Sequence, residues 1–276
     1  MTHAEAGNPA ENATGAGFAC SGSLSEQEIA ATAMRAEELG YTSLWITVLR
    51  DVTDPAAVLE AALGSSTRIE VGLGVVPLDA FRASELGAAL ANIPRRAIVG
   101  LGVGLHHRGA AEFWRNGAEQ FRALAPQVRI AVGAYGRGVL HVGGEVADSV
   151  LLNWMTRERV RWAQAHLDAG ARSAKRPTAP RPIFVYVPSA AGPAAARQIR
   201  ETRDALRRHQ YHRRHQDALE DVDSVGVSIT SDGGRALLPS YGYDAVSIVF
   251  PIGDASRSQR EALLEAFAPA TRQTTP

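Results

Sequence analysis

"LSEQEIAATAMRAEELGYTSLWITV", residues 24 to 48, decides the fold. Leu24, Ile29, Ala33, Ala36 and Leu39 fall near one face of a helix, Ser23 or Ser25 stands where a cap is needed, and Gly40 follows as a stop residue. Residues 41 to 48 then form an almost unbroken apolar run rich in aromatic and β-branched side chains, which reads as a strand. With "GFAC" (17 to 20) ahead of it, the unit is strand, helix, strand. A helical crossover between strands makes them parallel neighbours.

The same unit recurs along the chain. Further apolar runs are "RIEVGLGVV" (68 to 76), "AIVGLGV" (97 to 103), "VRIAVGA" (128 to 134), "DSVLLNW" (148 to 154), "PIFVYVP" (182 to 188) and "DAVSIVFPI" (244 to 252). That makes eight candidate strands, apolar throughout rather than alternating, as strands covered on both faces are. Helices are expected from Asp54-Pro55 to Leu63, Ala80 to Asn92, Ala110 to Leu124, Arg157 to Ala169, Pro193 past Tyr211, and Ser256 to Phe267. Eight strands with a helix after nearly every one fit an α/β fold of the (β/α)8 TIM-barrel type, for which 276 residues is an ordinary length. An open, doubly wound parallel sheet satisfies the same pattern, since a sequence does not display closure.

Composition excludes several classes. Lys+Arg and Asp+Glu are both 29, so the net formal charge is zero and no global field attracts nucleic acid or anionic lipid. The single cysteine, Cys20, excludes an internal disulfide and a cysteine-based metal cluster, and suits a reducing cytoplasm. No window approaches the roughly 20 consecutive apolar residues of a membrane helix. Residues 1 to 16 read as a disordered leader without signal-peptide character, and 17 to 276 as one barrel domain. No Gly-x-Ser-x-Gly elbow, Walker loop or Cys-His nucleophile arrangement appears.

In a barrel the chemistry sits where strands end. Asn153 and Trp154 close the sixth strand, where an amide and a flat ring either meet a ligand or cap and pack under the next helix. "VGAYGRGVL" (132 to 140) offers free backbone N–H groups at a helix start, close approach at Gly136 and Gly138, and the charge of Arg137, which together suit an anion. Its alternative is a plain strand-to-helix turn. Glu145 and Asp148 precede the sixth strand, at the closed end, and read as anchors. "GLHHRG" (104 to 109) places His106 and His107 after the fourth strand, where an imidazole that titrates near neutrality can move a proton. A metal is not expected there, for want of further ligands. His209, His212 and His215, with Arg207, Arg208 and Arg213, mark an arginine-rich helix with interleaved acids, read as a solvated or pocket-rim face.

Four stretches in fixed order, "AEELGYTSLWIT" (36 to 47), "SSTRIEVGLGV" (65 to 75), "RAIVGLGVG" (96 to 104) and "GGEVADSVLLNWMTRERV" (143 to 160), resemble the bacterial luciferase-like superfamily of flavin- and deazaflavin-dependent oxidoreductases. The resemblance covers roughly residues 17 to 190. The stretch from 184 to 219 is similar to the members that use the deazaflavin coenzyme F-420 (F420). The resemblance implies a backbone bulge at Gly74 and Val75 against the ring of a flat cofactor, where otherwise the glycines at 72, 74, 100, 102 and 104 serve only close strand packing. It further implies cofactor phosphate at Ala134, Tyr135, Gly136, Arg137 and Gly138, and a homodimer.

Two features depart from the family pattern. Relatives commonly end the second strand with an acid and a histidine, but Thr47, Val48 and Leu49 stand here, so the proton would come from Thr47, His106 or His107. The segments after strands four and seven are short, which implies an open mouth for a small molecule, a peptide-like substrate or a biosynthetic intermediate. Three readings follow: hydride transfer from reduced F420 to a C=C, C=N or C=O bond, an FMN-dependent monooxygenase, or a degenerate cofactor-binding or non-redox barrel.

Overall fold

Every one of the eight apolar runs forms a strand in the computed structural model, which describes residues 15–104, 108–134, 136–175, 181–208, 227–229, 245–253 and 255–269. The strands are β1 (Ala16–Ser21), β2 (Ser43–Thr47), β3 (Glu70–Pro77), β4 (Ala97–Gly102), β5 (Arg129–Gly133), β6 (Ser149–Asn153), β7 (Ile183–Ala191), β8 (Val227–Ile229) and β9 (Ala245–Pro251). Between them lie α1 (Glu26–Glu38), α2 (Pro55–Gly64), α3 (Ala83–Ala89), α4 (Ala110–Leu124), α5 (Arg137–Val146), α6 (Arg157–Ser173), α7 (Ala195–Arg208) and α8 (Arg257–Ala266).

All pairings are parallel. They run β1 to β7 in order, then β9, which returns to β1 through Gly17↔Ile248. The sheet is therefore a closed (β/α)8 barrel, and the open-sheet alternative falls. The short β8 lies outside the ring, paired with Ser189–Ala191 of β7 where that strand outruns β6.

Local chemistry sets the elements. Ser25 caps α1: it accepts from the Glu28 N–H at 3.3 Å while the Glu28 carboxylate accepts from the Ser25 N–H at 3.2 Å. Ile29, Ala33 and Ala36 bury the inner stripe, and Gly40, at φ 85°, turns the chain into β2. Asp54 caps α2 by accepting from Ala56 and Ala57 at 3.0 Å, with Pro55 in the first helical position. Four expectations shift. α3 starts at Ala83 because the Ala80 and Phe81 N–H groups bond back to the Pro77 carbonyl in a turn. α6 runs on to Ser173, and α5, which only its first turn had announced, is a complete helix. β1 begins at Ala16, inside the span read as leader.

Alternation divides each strand between two cores. Ala19, Trp45, Ile98, Ala131, Leu151, Phe184, Tyr186 and Ile248 point inward and fill the barrel. Their neighbours, such as Phe18, Leu44, Val71, Val99, Ile130, Val150, Val185 and Val249, pack under the helices. Burying each such large side chain stabilises the fold by roughly 1.5–3 kcal/mol, so two nested cores, rather than one hollow ring, hold the structure. Among the described residues no helix is long and apolar enough to cross a membrane.

Candidate active site at the barrel mouth

The strand C-termini bring Thr47, Gly74, Val75, Ala134, Gly136, Asn153 and Trp154 to one end of the barrel. The acids lie elsewhere. Asp148 precedes β6, takes the Arg122 guanidinium at 2.8 Å and accepts from the Ile130 N–H at 2.9 Å. Glu145 ends α5, paired with Arg115 and facing His141 at 3.5 Å. Both act as anchors of the closed end.

At β3 the ladder with β4 slips between Leu73 and Val76, which leaves Gly74 and Val75 as a bulge. The Gly74–Val75 peptide bond is cis. The half-exposed Val75 side chain folds toward β4 and β5, where a Cβ at Gly102 or Gly133 would run into it, while one at Gly100 would lie 2.6 Å from the Leu73 carbonyl oxygen. On the other side a Cβ at Gly74 would collide with the Tyr186 hydroxyl and would lie 2.6 Å from a Leu151 methyl carbon. These glycines therefore make room for the chain's own bulge. Gly72 differs: a Cβ there would lie 2.5 Å from the Trp45 ring, so it serves strand packing alone.

Beyond β5, Gly136 caps α5 without a side-chain hydrogen bond, and a Cβ there would meet nothing within 4 Å. The first-turn N–H groups of a helix have no intrahelical partner and carry the positive end of its dipole. Arg137 and Gly138 are exposed beside them. Gly138 is not required sterically, since a Cβ would meet only Ala111 at an ordinary 3.8 Å.

Asn153 does not cap α6; Thr156 does, accepting from the Arg159 N–H at 3.2 Å. Instead the Asn153 Oδ1 is buried with no hydrogen-bond partner, a state that costs roughly 1–3 kcal/mol unless something supplies a donor. Trp154 follows with φ 53°, a left-handed backbone that a bulky residue adopts rarely, and is buried. Across the mouth, Thr47 donates to the Cys20 carbonyl at 3.4 Å. Val48 turns outward into the core and Leu49 is 61% exposed. His106, His107, Tyr135 and the stretch holding His209, His212, His215 and Arg213 lie outside the described residues.

Three features escaped the sequence reading. Tyr186 and Phe250 stack at 4.8 Å with planes 20° apart, on the inner side of the barrel. The Tyr186 hydroxyl donates to the Gly74 carbonyl at 3.0 Å, and burial holds its pKa well above the ordinary phenol value. Arg50 pairs with Asp79 and ties the loop after β2 to that after β3. The signal for Tyr186 was the i, i+2 spacing with Phe184, but a strand apolar on both faces does not say which face is inward. Cys20 faces the outer core, and burial pushes its thiol up to about 12, so it is no nucleophile.

Solved structures that share this fold include three enzymes. A coenzyme F420-dependent tetrahydromethanopterin reductase from Methanopyrus kandleri superposes with a TM-score of 0.64 at 12% identity, over 92% of this chain and 97% of that one. An F420-dependent secondary alcohol dehydrogenase, in complex with an F420–acetone adduct, gives 0.66 at 12% identity over 86% and 92%. The oxygenating constituent of 3,6-diketocamphane monooxygenase from Pseudomonas putida, a type II Baeyer-Villiger monooxygenase in complex with FMN, gives 0.65 at 13% over 93% and 97%. The chain shares the fold of these three proteins. The sequence matches no protein-family model and no curated protein.

Proposed function

We propose that this luciferase-like barrel is a divergent oxidoreductase that holds a flat flavin-type cofactor at its mouth, with F420 as the first candidate and FMN as the second. The observation that carries the reading is the mouth itself. An apolar bulge at Gly74 and Val75, an unpartnered buried acceptor on Asn153 and an open helix start at Gly136 to Gly138 share one end of the barrel. A ring needs an apolar seat, its imide N–H needs an acceptor, and its phosphate needs N–H donors. The residues present fit the group. Two of the neighbours are named for F420, and one holds FMN.

In this reading Val75 backs one face of the ring, Asn153 Oδ1 accepts from the ring edge, and the backbone N–H groups of residues 136 to 138 with Arg137 hold the phosphate. Bound and reduced, the coenzyme supplies a hydride to the carbon of a C=C, C=N or C=O bond; the partner atom must then gain a proton. Thr47 stands at the second-strand position and can hold a substrate heteroatom by hydrogen bonding. Tyr186 is engaged with Gly74 and keeps its proton, so it is no acid for the reaction. His106 and His107 are the chain's candidates for the transfer. The reading carries with it a cytoplasmic homodimer acting on a small molecule or peptide-like biosynthetic intermediate, with no nucleic-acid or membrane partner.

Titration of the purified protein with oxidised F420, and separately with FMN, followed by fluorescence quenching, tests it. Saturable quenching of F420 with weak or no response to FMN is expected. The reverse order would move the reading to a flavin monooxygenase, and no response to either would leave a barrel repurposed for non-redox work.

A further inference from the structure

We infer that Tyr186 is a positioning residue that fixes the β3 bulge from the opposite wall of the barrel, and so sets the seat on which the cofactor ring rests; this deepens the reading above and rests on it. β3 borders β2 and β4, and β7 borders β6, β8 and β9, so no sheet ladder connects the two. The link is a side chain. The Tyr186 hydroxyl crosses the barrel interior and donates to the Gly74 carbonyl at 3.0 Å, in a buried setting.

The phenol is itself held in place. Phe250 stacks on one face with ring centroids 4.8 Å apart, and Trp45 meets it edge-on at 6.5 Å and 88°. Gly74 in turn has no freedom toward it, because a Cβ there would run into the hydroxyl. Beside it the Val75 side chain, packed against the inner cluster, fills the notch left by Gly102 and Gly133. The bulge is thus gripped at consecutive residues, by a hydrogen bond on the carbonyl of one and by packing on the side chain of the next. A wholly apolar ring would fill this interior position equally well. What the hydroxyl adds is a directed bond to a backbone group in the stretch where the β3–β4 ladder slips. Burial keeps the phenol protonated, so the donor persists across the working pH range.

The test compares Tyr186→Phe with the wild type and with Ile29→Val, a packing variant of α1 in the outer core. Thermal midpoint, Kd for oxidised F420 by quenching, and the visible absorption band of the bound coenzyme are measured on each. Tyr186→Phe is expected to fold, to bind F420 about fivefold to tenfold more weakly, the factor that one net hydrogen bond supplies, and to return the band toward that of free coenzyme. Ile29→Val is expected to lose thermal stability without moving Kd or band. An unchanged Kd and band in Tyr186→Phe overturn this inference and leave the functional reading standing. Equal weakening by both variants reduces Tyr186 to general stability and overturns it too. If the wild type binds neither F420 nor FMN, the functional reading fails and the inference falls with it.

Discussion

The two ends of this barrel are built from opposite materials. At the closed end the charged groups are satisfied several times over, although the Ser43 and Ser149 hydroxyls at the starts of β2 and β6 are buried without a partner. The Glu37 carboxylate accepts from the Thr67, Arg68 and Ile69 N–H groups at 3.0, 2.7 and 3.1 Å. The Arg96 guanidinium donates to the carbonyls of Leu63, Ser66 and Ile69 and to the Ser66 hydroxyl. At the mouth a buried amide oxygen lacks a partner, a tryptophan sits in a left-handed backbone, and a strand leaves register. Saturated bonding serves a structure that must not move. Backbone irregularity beside a buried amide acceptor suits, on the proposed reading, an end that takes a ligand, and the division matches where barrels place stability and chemistry.

The contrast breaks most visibly at Arg96. Arg96→Ala strips donors from several backbone carbonyls and is expected to lower unfolding free energy by about 3–4 kcal/mol, read from the denaturant midpoint, while F420 affinity of the folded fraction stays unchanged. A matching loss of affinity would show that the ends are not independent. Next comes Glu37→Gln, expected to cost roughly 1–3 kcal/mol at neutral pH. Burial opposes ionisation of Glu37, but the backbone N–H bonds from Arg68, Ile69 and Thr67 and the Thr67 hydroxyl more than offset it, and they hold the carboxyl down to about 2 from an ordinary 4.5. A depressed folded-state pKa stabilises in full above the unfolded value and is lost as pH falls through the folded one. The stability gap between wild type and Glu37→Gln should therefore close as pH drops from 4.5 toward 2, and a pH-independent gap would remove the carboxylate from the account.

At the mouth the order of effects inverts. Gly102→Ala puts a Cβ 2.7 Å from a Val75 methyl carbon, so the bulge must shift. Stability should fall by only about 1–2 kcal/mol, while F420 affinity drops at least roughly tenfold in the quenching titration. Asn153→Ala is the mildest for the fold, within about 0.5 kcal/mol of wild type, because it removes an acceptor that has no partner in the free protein. Its affinity for F420 should nonetheless fall about fivefold to tenfold. Wild-type affinity in that variant would show that the ring edge is read by something else.

How much of this the sequence carries depends on what each residue answers to. The capped helix ending at Gly40 and the apolar run from Tyr41 answer to local rules, and all eight barrel strands follow from that pattern; closure through Gly17 and Ile248 is a long-range fact that no window contains. The site divides similarly. Gly136 at a helix start is a local signal, and so is Asn153 at a strand end. The glycines at 100 and 102 were open between packing and cofactor, and the structure shows their space taken by the Leu73 carbonyl and the Val75 side chain respectively, residues more than twenty positions away in the chain. Tyr186 was invisible for the same reason: its partner, Gly74, lies 112 residues earlier. The short β8 gave no signal because three residues are too few for a period to show.

The most direct test of the central claim is a crystal structure of the protein grown with oxidised F420. The account predicts the ring on the Val75 side of the mouth, its edge within hydrogen-bond reach of Asn153 Oδ1, and its phosphate at the amides of residues 136 to 138. A ring bound elsewhere, for instance in the groove that Ala31, Arg35, Arg260 and Leu264 line between α1 and α8, would contradict it.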